Sequence, residues 1–373
     1  MSTKPARPSS IADYRRASQP QERTLEPVAE ARPVVALEST IIAHGLPRPR
    51  TLTVASELET MLREQDVTSA TIAVLDGRAH VGLDDAQLAR IAEDGEVVKA
   101  SVRDLPYILA QGGSAATTVA STALLAERAG IEVFATGGLG GVHREATRTF
   151  DESADLQVLS STPIVVVAAG VKSILDVPAT LERLETLGIT VLGYRTDRFP
   201  GFYVTDSGQP IDWRIEHPEE VAAVLAEARA LDLCGAVLVA NPVDPAEQLD
   251  PELHDRVLAE SLEATEAEGL RGKDVTPFLL DHIQRVTGGE PGDVAGGRRR
   301  GRRYPRGGPA ADPRSGRRGG GHHRCWRRVH RCVPRGVAEG ADAAQATEAG
   351  VAAGTRAVAV TRGATRAVSA GVS

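Results

Sequence analysis

The chain has 373 residues, of which 42% are hydrophobic and 3% aromatic, enough for one large or two ordinary domains with an aliphatic core. Its formal net charge of −7 argues against nucleic acid as the main partner. We expect no membrane span, since no stretch is long and apolar enough, and residues 1–32 are expected to be a disordered polar leader rather than a secretory signal. Three cysteines without a disulfide framework favour a cytoplasmic location.

Apolar strands alternate with amphipathic helices from residue 33 to about 290. Strands are predicted at 33–38, 69–77, 97–101, 131–138, 162–170, 189–196 and 235–243. Helices are predicted at 51–65, 84–94, 117–130, 178–188, 217–231, 251–270 and 276–289. Such alternation indicates βαβ units. The sequence therefore predicts one α/β catalytic domain over 33–290, with a mostly parallel sheet and helices on both faces.

The composition changes abruptly at residue 291. Between 298 and 335 there are fourteen arginines and no lysine, and the remainder is dominated by Ala, Gly, Val and Thr. We expect residues 291–373 to be a disordered tail, because this composition buries too little apolar surface to offset chain entropy. Three interpretations of the tail stay open. It is a frameshifted reading of GC-rich DNA, an RNA-binding arm, or a metal site, although its ligand spacing matches no zinc pattern.

Polar residues that follow predicted strands are candidates for a site, because α/β sheets bind ligands beyond the carboxyl ends of their strands. Glu38 follows an apolar run and fits either a general acid with a raised pKa or a salt-bridged structural residue. Lys172 follows the most apolar strand, where a dry environment would favour Schiff-base chemistry. An ordinary surface lysine is the alternative. Lys99 lies just past a shorter apolar pair.

Two loops offer further residues that could bind a substrate or a cation. The glycine-rich loop at 135–144 could cradle a phosphate with its backbone amides, and it contains His143, which fits either a ligand contact or a structural role. The segment 149–160 places Asp151, Glu152, Ser153 and Asp155 close together. Clustered carboxylates suit a hard divalent cation that keeps most of its waters, or simply a solvated acidic loop.

In this order, these segments resemble the pseudouridine-5′-phosphate glycosidase family, also called the indigoidine synthase A-like family. The matching strings include ALESTIIAHGLPRP (36–49), KASVRDLP (99–106), EVFATGGLGGVHR (132–144), FDESADL (150–156) and VVVAAGVKSILDVP (165–178). The resemblance covers about 33 to 290. It implies an α/β enzyme, usually a homotrimer with a divalent metal, typically Mn²⁺, that converts the small molecule pseudouridine 5′-phosphate and water to uracil and ribose 5-phosphate.

The resemblance also implies roles for individual residues. Lys172 would be the nucleophile, Glu38 the proton donor and Asp151 the metal ligand, acting mostly through waters. Substrate contacts would come from Lys99, Thr118, Val119, His143, Ser153, Ala154 and Asp155. The base is joined to C1′ through carbon, which has no lone pair to protonate, so the usual carboxylate pair does not suffice. If the ribose opens and C1′ condenses with the lysine amine, an iminium can act as the electron sink.

The resemblance ends at residues 287–290. There the family continues with a stretch like SLxANIALV, whose asparagine lies at the active site, followed by a helix that packs on the core. Here PGDVAGGRRR follows, and no asparagine occurs after Asn241. We therefore expect the enzyme to lack one substrate contact and its closing helix, and to be weak, unstable or inactive. An inactive remnant and an RNA-binding protein that acts through its arginines are the alternatives.

Overall fold

The computed structural model describes residues 32–44, 50–270, 278, 343, 345–352 and 354. The strands of this part of the chain are β1 Val34–Glu38, β2 Thr68–Leu75, β3 Arg78–Val81, β4 Val98–Ala100, β5 Ala115–Thr117, β6 Val133–Ala135, β7 Val165–Ala168, β8 Thr190–Tyr194, β9 Arg214–Ile215 and β10 Val237–Ala240. They form one sheet in the order β4-β5-β2-β1-β6-β7-β10-β8-β9, and β3 also pairs with β2.

Helices connect most of these strands. They are α1 Thr40–His44, α2 Arg50–Glu64, α3 Asp85–Glu93, α4 Leu105–Gln111, α5 Val119–Arg128, α6 Ala146–Thr149, α7 Ala154–Leu159, α8 Val177–Thr186, α9 Pro218–Ala230 and α10 Pro251–Ala267. The strands from β2 through β1, β6, β7 and β10 to β8 and β9 are parallel. The prediction of an α/β fold with a mostly parallel sheet is confirmed, and the sheet has helices on both faces.

The region around β2 differs from the predicted regular alternation. β2 turns at Asp76 and Gly77, both with positive φ, into the antiparallel strand β3, as expected of an Asp-Gly hairpin. It also pairs antiparallel with β5, a short strand that the sequence pattern did not predict. Three residues give too little periodicity to distinguish a strand from the first turn of the following helix.

This antiparallel pairing brings distant segments to the end of β1. Glu38 lies opposite Ile72, and β2 continues beyond this point and pairs with β5 there. Since β5 runs in the opposite direction, it returns toward Glu38, and β4 runs parallel to β5 with Lys99 opposite Ala116. The carboxyl ends of β4 and β5 therefore approach the carboxyl end of β1 from the other side.

Alternating strand residues form two apolar layers. In β1, Ala36 belongs to the layer that packs on α5 and α7, whereas Val35 and Leu37 belong to the layer that packs on α2 and α9. This alternation follows from the two-residue period of a strand. In the described part of the chain, no helix is both long and apolar enough for a membrane crossing.

A segment near the C-terminus is folded, in contrast to the expectation of a wholly disordered tail. Its helical residues, termed the tail helix below, are 343, 345–352 and 354. Ala346 and Ala349 are 4% and 0% exposed and join the layer formed by α2 and α9. A Cβ added to Gly350 would lie 3.2 Å from Cγ1 of Val133. These residues are therefore helical and packed on the sheet, where the sequence predicted a disordered tail.

Small side chains explain why the tail helix fits there. Residues 343, 346, 347, 350 and 354 are Ala, Ala, Thr, Gly and Gly, and they recur at intervals of three or four, the spacing of one helix face. A helix face of such small residues can approach the valines of the sheet closely. These residues are therefore buried although each has little apolar surface. The amide of Asn241 also donates to the carbonyl of Val351 at 3.1 Å. The arginine-rich stretch at 298–335 lies outside the described residues.

Candidate active site

Glu38 lies at the carboxyl end of β1 and is half-buried. Burial raises the pKa of its carboxyl group, while the charge of Lys172, the hydroxyl of Thr136 and the charge of Lys99 act against this rise. The Thr136 hydroxyl donates to Oε1 of Glu38 at 2.6 Å. A carboxyl group in such surroundings holds its proton to higher pH than an exposed glutamate, as a general acid requires.

The charges of two lysines act on this carboxyl group. Lys172 follows β7, and its backbone N–H donates to the carbonyl of Leu139 at 3.1 Å. Lys99 lies on β4, where burial and the charge of Lys172 lower its pKa, against the influence of Glu38 and Asp155. Glu38, Lys99 and Lys172 thus form one group of charges that act on one another.

Asp155 is buried and holds two segments of the site together. Its Oδ1 accepts the N–H of Ala120 at 2.9 Å, and its Oδ2 accepts the N–H of Gly140 at 2.8 Å. The first turn of α5, which follows Thr118 and begins at Val119, is therefore fixed to the glycine-rich loop. With both carboxylate oxygens occupied by backbone amides, Asp155 has a bracing role in addition to the predicted substrate contact.

The remaining predicted residues lie around this brace. Ser153 caps α7, and its Oγ accepts the N–H of Asp155 at 3.2 Å. Ala154, the first residue of α7, is exposed. The half-buried His143 is held by its backbone N–H, which donates to the carbonyl of Asp151 at 3.0 Å. The predicted site residues thus lie at the carboxyl edge of the sheet, in the adjoining loops or in the first turns of α5 and α7.

Among the described residues, no hydrogen bond or ion pair engages the carboxylate of Asp151, which a hard cation would need. Its neighbour Glu152 binds Arg183 at 2.9 Å, and the Asp155 oxygens accept backbone amides. Within the described ranges, no three His, Cys, Asp or Glu side chains are grouped to hold a metal ion. The residues thus fit a cation held by one carboxylate and mostly by water, and Asp151 is the residue that would hold it.

Thr136 was missed by the sequence analysis. It is 3% exposed and contacts the carboxylate of Glu38, although 98 residues separate them in the chain. A polar residue directly after β6, before the glycine run, was the signal available. This residue can be assigned to the site only once β1 is known to pair with β6, because that pairing brings the ends of these strands together.

Replacement of Gly140 by alanine is expected to disrupt the brace. An added Cβ would overlap Ser153 Oγ and lie 2.8 Å from Asp155 Oδ2, so the free energy of unfolding should fall by about 1–3 kcal/mol. Denaturant titration measures this loss. The glycine-rich loop is predicted to bind phosphate, so phosphate binding, followed by protein fluorescence, should weaken as well. Gly130→Ala is the control: it meets no atom within 4 Å but has φ 81°, so stability alone should fall, by about 1–2 kcal/mol. Unchanged phosphate binding in Gly140→Ala would contradict the role of the brace.

Comparison with known families identifies relatives over most of the chain. Residues 24–294 match the family model described as "Indigoidine synthase A like protein". A pseudouridine-5′-phosphate glycosidase from Saccharopolyspora erythraea is 62% identical over 257 residues, which are 69% of this chain and 85% of that protein. One from Caldanaerobacter subterraneus is 47% identical over 269 residues, 72% of this chain and 88% of that protein.

Solved structures with the same fold agree with this relationship. An indigoidine synthase A-like protein from Thermotoga maritima has 39% identity and a TM-score of 0.63, covering 69% of this chain and 85% of that one. The prealnumycin C-glycosynthase AlnA, solved in complex with ribulose 5-phosphate, has 31% identity and a TM-score of 0.66. That similarity covers 90% of this chain and 93% of AlnA.

Proposed function

The chain belongs to the indigoidine synthase A-like family, and we propose that it hydrolyses the C–C glycosidic bond of pseudouridine 5′-phosphate to uracil and ribose 5-phosphate. The observation that carries the proposal is the cluster of Glu38, Lys172 and Lys99 at the carboxyl end of the sheet. A carboxyl group with a raised pKa beside two amines offers an acid and a nucleophile together. The names of the 47–62% identical relatives supply the substrate.

In the proposed reaction, the neutral amine of Lys172 attacks C1′ while the C1′–O4′ bond breaks, and O4′ takes the proton that the nitrogen loses. The nitrogen lone pair then forms a C=N bond as the C1′–C5 bond breaks. The electron pair of that bond remains on the uracil carbon, which takes the proton of Glu38. Water hydrolyses the resulting iminium, which frees Lys172 and gives ribose 5-phosphate. The nitrogen lone pair thus stabilises the positive charge that develops at C1′, and the departing carbon needs only a proton.

The other residues would bind and orient the substrate. Lys99 offers a positive charge, and the amide of Val119 at the N-terminus of α5 offers a backbone donor for the phosphate. His143 and Ser153 would contact the sugar. A divalent cation such as Mn²⁺, held by Asp151 through water, would supply a hard positive charge that orients oxygen atoms of the substrate. The homotrimer and the cytoplasmic location stay predictions.

Uracil release from pseudouridine 5′-phosphate, followed by chromatography, tests this proposal. Glu38 must be protonated to act, and burial raises its pKa. The rate should therefore stay high above the usual range of a glutamate and fall as pH rises through that pKa. Glu38→Gln should lower the rate by about 10²–10⁴-fold and abolish this limb of the profile.

Glu59→Gln is the matched control, because Glu59 also has a pKa raised by burial and accepts a threonine hydroxyl, that of Thr71 at 3.0 Å. Glu59 lies on α2, and its replacement should leave the pH profile unchanged. Wild-type protein that releases no uracil, with or without added Mn²⁺, would overturn the proposed function and favour the inactive remnant. Incubation of uracil with ribose 5-phosphate tests the reverse, bond-forming direction that the C-glycosynthase neighbour suggests.

A further inference from the structure

The buried hydroxyl of Thr136 points at the catalytic acid, and we infer that Thr136 is the positioning residue that fixes Glu38 for proton delivery to the leaving carbon. The inference rests on the proposed function. The hydroxyl donates to Oε1 of Glu38 at 2.6 Å, which is at the short end of the range for O–H···O bonds. Thr136 is not among the predicted substrate contacts, so we expect it to act only through Glu38.

The surrounding backbone fixes Thr136 itself. Its N–H donates to the carbonyl of Val167 at 3.0 Å, which ties it to β7. The tail helix packs nearby, since a Cβ added to its Gly354 would lie 3.3 Å from the Thr136 carbonyl. The side chain is branched at Cβ, so it has few rotamers. A fixed backbone and a restricted rotamer together hold the hydroxyl in one direction.

Neighbouring hydroxyl groups near the end of β1 are engaged elsewhere. Ser39 Oγ and Thr117 Oγ1 both donate to the carbonyl of Ile72, each at 2.6 Å. Thr40 Oγ1 donates to the carbonyl of Thr117 at 2.6 Å. Of these four hydroxyls, that of Thr136 donates to the carboxylate, so no neighbour in this group can take its place without breaking an existing bond.

The bond also influences the pKa of the acid. Burial raises the pKa of Glu38, and the Thr136 hydroxyl lowers it, as do the charges of Lys172 and Lys99, whereas Asp155 raises it. A hydrogen bond donated to a carboxylate favours its charged form. Without the hydroxyl, Glu38 should keep its proton to still higher pH and lose its fixed orientation.

Thr136→Val removes the hydroxyl, and Thr136→Ser retains it. In the full-length enzyme, we expect the valine variant to lower kcat about tenfold, leave KM within about twofold, and move the alkaline limb up by about one pH unit. The serine variant should restore most of kcat and the original limb. Carbon-13 NMR of side-chain-labelled glutamate should show the same displacement in the Glu38 titration, with Glu38→Gln for assignment.

Thr71→Val is the matched control, because it removes a hydroxyl donated to Glu59 and should move the Glu59 titration alone. A valine variant with the wild-type profile and titration would overturn the inference, as would a serine variant as impaired as valine. Thr136→Ala replaces valine if that variant does not fold. If wild-type protein releases no uracil, the proposed function fails, whereas the NMR titration still decides whether Thr136 controls Glu38.

Discussion

Lys172→Ala is expected to release uracil about 10⁴-fold or more slowly than the wild type, because no amine remains to form the covalent intermediate. Borohydride added during turnover should reduce the imine and leave a ribose-phosphate adduct on Lys172 of the wild-type protein. The chain has four lysines, so peptide mapping by mass spectrometry assigns the adduct to one of them directly.

Lys99 is the decisive comparison, because burial and the charge of Lys172 lower its pKa and give it access to a neutral amine. Lys99→Ala should mainly raise KM, through loss of a phosphate contact, and the adduct should still form on Lys172. An adduct on Lys99 of the wild type would mean that Lys99, and not Lys172, is the nucleophile. Turnover by Lys172→Ala within tenfold of the wild type would exclude it as the nucleophile.

The sequence predicts the strand-end residues well, because burial of a parallel sheet leaves a clear record of apolar runs followed by polar side chains. For this reason Glu38 lies at the end of β1, and Lys172 lies in the segment that follows β7. The convergence of Lys99 with them was not visible, since it depends on the reversal of β4 and β5 beyond the end of β1. Short strands and their direction leave almost no periodic signal.

The bracing contacts lie further from what a sequence reveals. Asp155 was predicted from an acidic cluster, but its bonds to Ala120 and Gly140 join segments from three parts of the chain. The link from Thr136 to Glu38 is likewise a product of strand pairing. Such hydrogen bonds depend on positions correct to fractions of an ångström, which periodicity and composition do not encode.

The tail helix shows the opposite error, in which composition hid a real pattern. Its many Ala and Gly residues suggested that this segment could not form a core. Burial depends instead on how residues are spaced on one helix face, and small side chains suffice to cover the valines of the sheet. The loss of activity expected from the family's missing closing helix stays a prediction, although the tail helix covers part of the sheet. The missing asparagine still predicts a weakened substrate contact.

Ala349→Glu is expected to lower the free energy of unfolding by about 3 kcal/mol or more, because position 349 is 0% exposed and the new carboxylate would lie unpaired against strand valines. Chemical denaturation of the full-length protein measures this loss. The tail helix also contacts Asn241 through the carbonyl of Val351 and lies against the Thr136 carbonyl, so kcat should fall together with stability.

Gln345→Glu is the matched control, because it adds the same carboxylate one turn earlier on the exposed face of the tail helix. It gives up the bond from its side-chain amide to the Gln65 carbonyl at 3.2 Å, so a loss of at most about 1 kcal/mol is expected. Equal stability of Ala349→Glu and the wild type would mean that the tail helix does not cover the sheet in solution. A large loss at 349 with little at 345 requires a buried face, and the segment 343–354 would then be part of the catalytic domain.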